Sequence, residues 1–203
     1  MRSPQAHQMH ITISNLGSEW NDYNRNWSVA KPAIVNLIQQ LNLTILVIGR
    51  DLTGEPDLQP FLESGKLVSK RKAPFGQFLH YIESSRALWT PNVADASPRV
   101  LTQALCKNVP ILVNRHIAGG WKYVNDQTGV FFSDAHDVVE AARRLFSPEV
   151  QARLAPREYY MGRYGPVKSA LRLQAFLELV VGRNRLERAA RMVNDPLRMD
   201  ALQ

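Results

Sequence analysis

Between Tyr81 and Phe132 the residues suited to anion chemistry fall at the joints of a strand–helix–strand pattern. Ala87 to Thr90 is a short apolar run. Asp95 and Ser97 precede a helical pattern beginning at Pro98, and Pro110 opens the apolar run Ile111, Leu112, Val113. Strand, helix and parallel strand make one βαβ unit, and the strand end and helix start build a phosphate-binding edge. Ser97 is placed to cap the helix and Pro98 to occupy its first turn, which makes the amides of Arg99 and Val100 available to phosphate oxygens. The Arg99 side chain adds a cation. Gly119 and Gly120 permit positive φ and close approach of backbone to a ligand. His116, just before them, lies on the loop after a strand. Plainer readings stand beside these: Ser-Pro starts a helix, a glycine pair makes a turn, and His116 is a surface histidine.

The elements that must position these residues alternate along the chain. Met9 to Ser14 is β-branched and alternating, the mark of a first strand, and Asn15 to Asn26 is a polar loop suited to binding. Trp27 to Leu41 carries apolar residues at helical spacing. Leu43 to Ile48 is a continuous apolar run, which implies burial on both faces, as in a parallel sheet. Asp57 to Glu63 reads as a short helix, Lys66 to Ser69 as a strand and Phe75 to Ser84 as a helix, with the cations Lys70 and Arg71 between the last two. Strands near 87–90, 110–113 and 129–132 follow, then a helix from Ala135 to Phe146. Six strands with intervening helices predict an α/β fold with one Rossmann-like, doubly wound parallel sheet. Beyond Ser147 only helices are expected, over Glu149 to Tyr164 and Val167 to Val181. Leu171, Leu173, Phe176, Leu177, Val180 and Val181 give the last one too many apolar positions for a free helix.

The chain has 203 residues, 45% of them hydrophobic, enough for one substantial core. The expected organisation is one domain over 1–182 followed by a basic tail or helix over 183–203. No run reaches the roughly 18 apolar residues of a membrane span, and the N-terminus lacks the apolar core of a signal peptide, so a cytoplasmic protein is expected. The single cysteine, Cys106, reads as a core residue. A net charge of +7 favours anionic partners. The Arg-rich run from Arg183 to Arg198 lacks interleaved aromatics, so it reads as a solvated face and no nucleic-acid partner is expected. Five His, one Cys and scattered carboxylates show no metal-ligand spacing. No Gly-x-Gly-x-x-Gly follows a strand and no Gly-Lys-Ser/Thr loop occurs, which removes the main evidence for dinucleotide or triphosphate binding.

The wording of the central segment resembles the donor-binding, C-terminal half of GT-B glycosyltransferases of the glycosyl transferases group 1 type. Those proteins carry an acidic residue, a turn, a helix with a second acidic residue, then Ala-x-x-x-Gly-x-Pro and a strand. The counterparts here are Asp95, Gln103 and Ala104 to Pro110 in QALCKNVPILV; Gly119-Gly120 and Thr128-Gly129-Val130-Phe131 match a second landmark. The resemblance covers most of residues 10–146.

It implies half of a GT-B fold, with a nucleoside-diphosphate sugar as co-substrate, no cofactor and no metal. Asp95 would approach the sugar hydroxyls and Gln103 the ribose. Gln accepts through its carbonyl oxygen without the charge-assisted bond of Glu. Arg25, in NRNW, matches the basic residue of the family's helix opening, and Arg50 after Gly49 is a substitute for a second cation that SNLGSEW lacks. The loop carrying Arg71 corresponds to the one that reads the nucleobase. The implied catalytic pair is Asp95 and Arg25; Ser97, Arg99, Val100, Gln103, Gly119, Gly120, Arg71 and Arg50 are the implied donor-binding set. The implied activity is glycosyl transfer to an unknown acceptor, with retention of anomeric configuration suggested by the same resemblance. Because the first strand arrives by residue 10, an N-terminal acceptor domain or a partner chain would have to supply the other half. The alternative is a non-catalytic module that binds a sugar nucleotide or a partner.

Overall fold

The computed structural model describes residues 9–14, 19–71, 73–182, 185 and 187. Six strands, β1 (Met9–Ser14), β2 (Ile45–Ile48), β3 (Leu67–Lys70), β4 (Ser85–Thr90), β5 (Ile111–Asn114) and β6 (Gly129–Phe132), form one sheet in the order β3-β2-β1-β4-β5-β6. Every pairing is parallel, with Ile13 beside Val47 and Trp89, and Trp89 beside Leu112. This is the doubly wound α/β arrangement expected from the alternation of elements.

The helices are α1 (Glu19–Asn24), α2 (Trp27–Leu41), α3 (Gln59–Glu63), α4 (Phe75–Glu83), α5 (Arg99–Cys106), α6 (Asp137–Leu145), α7 (Pro148–Gln151), α8 (Pro156–Tyr164) and α9 (Pro166–Val181). Successive strand residues face opposite sides, so both sheet faces are buried. Ile11, Ile13, Ala87, Trp89 and Phe132 join Ile34 and Leu37 of α2 and Val138 and Ala142 of α6 in one core. Leu88, Ile111 and Val113 join Ile82 of α4 and Leu101, Ala104 and Leu105 of α5 in the other. The hydroxyls of Thr12 and Ser85 share a buried hydrogen bond of 2.6 Å between the two central strands.

The structure divides into two compact units, Met1–Tyr160 and Met161–Gln203. The sheet, both cores and all the site residues discussed below belong to the first. The second unit contains α9, in which no residue is buried: Leu171, Leu173 and Phe176 are exposed, contrary to the packing that their number implied. The basic run from Arg183 to Arg198 lies outside the described residues apart from positions 185 and 187.

Two local readings are corrected. The polar segment expected to be a loop contains α1, and the helix expected over Glu149 to Tyr164 is broken into α7 and α8 by residues 152–155. In the first case, tertiary contacts supply what an amphipathic pattern would have signalled. Arg50 forms a two-pronged ion pair with Asp22 of α1, and the carbonyl of Asn24 accepts from the amide of Val93 at 3.1 Å. Asn26, at φ 53°, then turns the chain into α2. Among the described residues, no helix is long and apolar enough to cross a membrane, and no group of three or more His, Cys, Asp or Glu could hold a metal ion.

Candidate functional site

In a sheet ordered 3-2-1-4-5-6 the connections from β1 and β4 leave toward opposite faces, which opens a crevice at their carboxyl ends. A cavity of about 470 Å³ lies there. Ser14, the last residue of β1, lines it together with Arg25 from between α1 and α2. The loop after β4 adds Asp95 and Ser97, α5 adds Arg99, Val100 and Gln103, and α4 adds Phe75 and Phe78. Arg99 and Gln103 are four residues apart and share a helix face. The lining therefore combines two guanidinium groups, one carboxylate, one carboxamide, two hydroxyls and two aromatic rings.

Arg25 and Asp95 meet directly. The Arg25 guanidinium donates to the Asp95 carboxylate at 2.9 Å, with 26% and 22% of the two side chains exposed. Asn92, almost wholly buried, reaches the same oxygen at 3.4 Å, and the Ser97 backbone amide donates to the other at 3.3 Å. Asp95 is thus held from three directions at the cavity wall.

Ser97 does not cap the helix. The residue before α5 is Pro98, in an extended conformation, and no side chain caps α5. The first amides of a helix have no partner within it, so those of Arg99 and Val100 open the helix without competition from a serine hydroxyl. Gly119 and Gly120 lie beside the same loop. A side-chain carbon on Gly119 would stand 2.0 Å from the Ala96 carbonyl oxygen; on Gly120, at φ +85°, it would stand 2.6 Å from the Pro98 ring. Their small size lets the loop after β5 press on the loop that carries Asp95. The amide of Ala118 bonds to the carbonyl of Val93 at 2.8 Å, and the buried Asn114 amide bonds to that of Pro91 at 3.1 Å. The glycine pair therefore acts between two protein loops.

The remaining expected residues lie elsewhere. Arg50 is largely buried, stacked 4.0 Å from the Trp27 ring centre and paired with Asp22 and Glu55. Arg71 is exposed and paired with Asp51, whose carboxyl is lowered to about 2 by bonds from the Thr53 backbone and hydroxyl and from Arg71. His116 is exposed on the loop after β5, its amide donating to Asn114. Cys106 is half-buried, and burial pushes its thiol up, which keeps it protonated near neutrality. Ser14, Phe75 and Phe78 were not foreseen. Phe75, 64% exposed in the first turn of a helix that follows a strand, is an unusual place for a phenyl ring, and that position was the available signal.

Comparison with known proteins places the fold. No protein-family model matches the chain. No curated protein matches it in sequence. Among solved structures it is similar to sucrose-phosphate synthase from Thermosynechococcus elongatus, with a TM-score of 0.64, 13% identity, and coverage of 87% of this chain and 47% of that one. It is also similar to a UDP-forming α,α-trehalose-phosphate synthase from Burkholderia xenovorans, with a TM-score of 0.60, 11% identity, and coverage of 84% and 44%. A third is the pneumococcal O-GlcNAc transferase GtfA in complex with UDP and GlcNAc, with a TM-score of 0.52, 13% identity, and coverage of 93% and 36%. The chain spans less than half the length of each. Its fold is therefore that of one Rossmann-like domain of the GT-B glycosyltransferase kind.

Proposed function

We propose that this chain is the donor half of a glycosyltransferase and binds a nucleoside-diphosphate sugar in the cavity between β1 and β4. The observation that carries the reading is the convergence of Arg25, Arg99, Asp95 and Gln103 on that one cavity, at the place where an open α/β sheet accepts ligands. Arg25, Arg99 and the first amides of α5 would hold the diphosphate, Gln103 the ribose and Asp95 the sugar. Phe75 and Phe78 offer faces to the base. In the transfer itself the bond from anomeric carbon to diphosphate oxygen breaks, with its electron pair leaving on the diphosphate, and a bond from the acceptor's nucleophilic atom to that carbon forms. The two guanidinium groups are placed to stabilise that charge, so no bound metal is assigned a part. The acceptor site and the base that takes the acceptor's proton would come from another domain or chain, in keeping with the chain's share of its structural neighbours.

A second reading, a binding module without transfer activity, is favoured by one observation. The carboxylate of Asp95 already engages Arg25, Asn92 and the Ser97 amide, so the cation meant for phosphate is partnered by the protein's own acid. The melting temperature of the full chain against a panel of nucleoside diphosphates and their sugars tests the donor reading. A ligand at about a hundred times its Kd adds about 2.7 kcal/mol, or about 5 to 10 °C for a chain of this size. A shift confined to one base is expected, with the additional shift of the sugar nucleotide over the bare nucleotide lost in the D95A/Q103A double variant. A folded chain that shifts with none of them would overturn the donor reading, and a shift unaltered by the double variant would remove the site assignment.

A further inference from the structure

Arg25 lines the cavity between β1 and β4, and it also lines a second cavity of about 550 Å³ together with Trp20, Asn21, Asn24 and Asp95. A side chain that borders open volume in this way is fixed less by packing than by the backbone that carries it. That backbone is the corner between α1 and α2, where Asn26 takes the left-handed angles φ 53° and ψ 52°. We propose that Arg50 is the positioning residue of this corner. It grips the chain on both sides of Arg25 and so holds that guanidinium at the cavity, without itself reaching the ligand.

The grip comes from two directions. Three residues before Arg25, the Asp22 carboxylate takes both terminal nitrogens of Arg50, one of them at 3.2 Å. Two residues after Arg25, the buried Trp27 indole stacks on the same guanidinium, 4.0 Å from its carbon to the ring centre. Glu55 closes the arrangement: it accepts from the Trp27 indole at 3.1 Å and lies 3.5 Å from Arg50. Fork and stack together need a planar guanidinium, which lysine lacks. Arg50 is in turn seated on the sheet. Gly49, at φ +100°, turns the chain at the end of β2, and its amide donates to the Lys70 carbonyl at 2.7 Å. The Ser69 hydroxyl donates to the Arg50 carbonyl at 2.6 Å. Only 11% of the Arg50 side chain is exposed, and its Nε is buried without a hydrogen-bond partner. The side chain is thus placed by what it holds, since its own hydrogen bonding is incomplete.

The role given to Arg50 rests on the proposed role of Arg25 toward a diphosphate, and charge alone predicts the opposite of one of its effects. D22A removes a negative charge three residues from Arg25, so through-space attraction would tighten the binding of an anion. Release of the corner would weaken it. Calorimetric titration of UDP and GDP into the full chain and its D22A, R50K, R25M and R25M/D22A variants reads the sign. D22A is expected to bind whichever nucleotide the wild type binds about fivefold more weakly, and R50K, which keeps the charge but not the fork, to do the same. With Arg25 gone, D22A is expected to change affinity by less than about twofold. Amide hydrogen exchange of the same chains needs no ligand. In D22A and R50K the amides of Arg25 and Asn26, bonded to the carbonyls of Asn21 at 2.7 Å and Tyr23 at 3.1 Å, should exchange about tenfold faster, while those of Leu88 and Ile111 in the sheet keep their protection. A wild-type chain that binds neither nucleotide defeats the donor reading, and faster exchange confined to the corner would then still sustain the grip of Arg50. That grip is overturned if D22A binds nucleotide as tightly as the wild type or more tightly, or if its loss persists undiminished in R25M. It is equally overturned if the Arg25 and Asn26 amides exchange at the wild-type rate, or if the sheet loses protection with them, which would make Arg50 a matter of overall stability.

Discussion

Asp95 and Arg25 both line the cavity between β1 and β4, and they hold one another at 2.9 Å. Both side chains are about a quarter exposed, so the pair contributes at most about 1 kcal/mol, and a doubly charged diphosphate can take Arg25 from Asp95. Neutralising the acid should therefore help the nucleotide and harm the sugar. D95N is expected to bind UDP several-fold more tightly than wild type and to lose the preference for UDP-sugar over UDP; calorimetry of both ligands reads this. Tighter binding of neither, with the preference intact, would show that Asp95 faces no ligand. Asp95 and Arg99 are legible in the sequence from a strand end and a helix start, Arg25 and Gln103 only from the resemblance, and the structure brings all four to one cavity. The place of Arg50 is not legible there, since nothing local distinguishes a phosphate-binding arginine from one stacked on Trp27 and paired with Asp22.

At the scale of elements, the seam between α2 and the segment after β2 is held by charge. Lys31 of α2 pairs with Glu55 and Asp57, and the Trp27 indole donates to Glu55 at 3.1 Å. The Lys31 bond, followed by the Trp27 bond, holds the Glu55 carboxyl below its ordinary value, although partial burial opposes this. A group whose pKa is lowered on folding contributes stability that is fully present above its unfolded value, near 4.3, and is lost as the pH falls through the folded one. The same bonds, Asp57 first, raise Lys31, so its contribution is present below about 10.4 and lost as the pH rises through the folded value. The melting temperature of wild type should thus decline more steeply than that of E55Q below about pH 4.3. Parallel curves for the two chains across that range would refute the assignment. Helix α1 shows why such seams escape sequence reading: its residues, EWNDYN, have no apolar periodicity, and partners distant in sequence fix it.

In the whole molecule, both cores and both cavities are built from residues up to Tyr160, and no residue of α9 is buried. A chain ended after Gly165 is expected to melt within about 4 °C of the full chain, equivalent to about 1 kcal/mol, and to bind nucleotide equally well. A larger drop in a thermal scan would mean that the last helix carries part of the core. The sequence by itself determined the six strands, their order along the chain and the doubly wound sheet, because continuous apolar runs bounded by helices and glycine turns admit few other solutions. It also determined which strand ends carry the polar groups. Tertiary structure alone decided that Arg25 faces Asp95 across 70 positions of sequence, that Gly119 packs against Ala96, and that Trp20 stands beside the same acid. Those are contacts between loops, whose approach is set by the spacing of strands and the sizes of side chains elsewhere, and no local pattern records it.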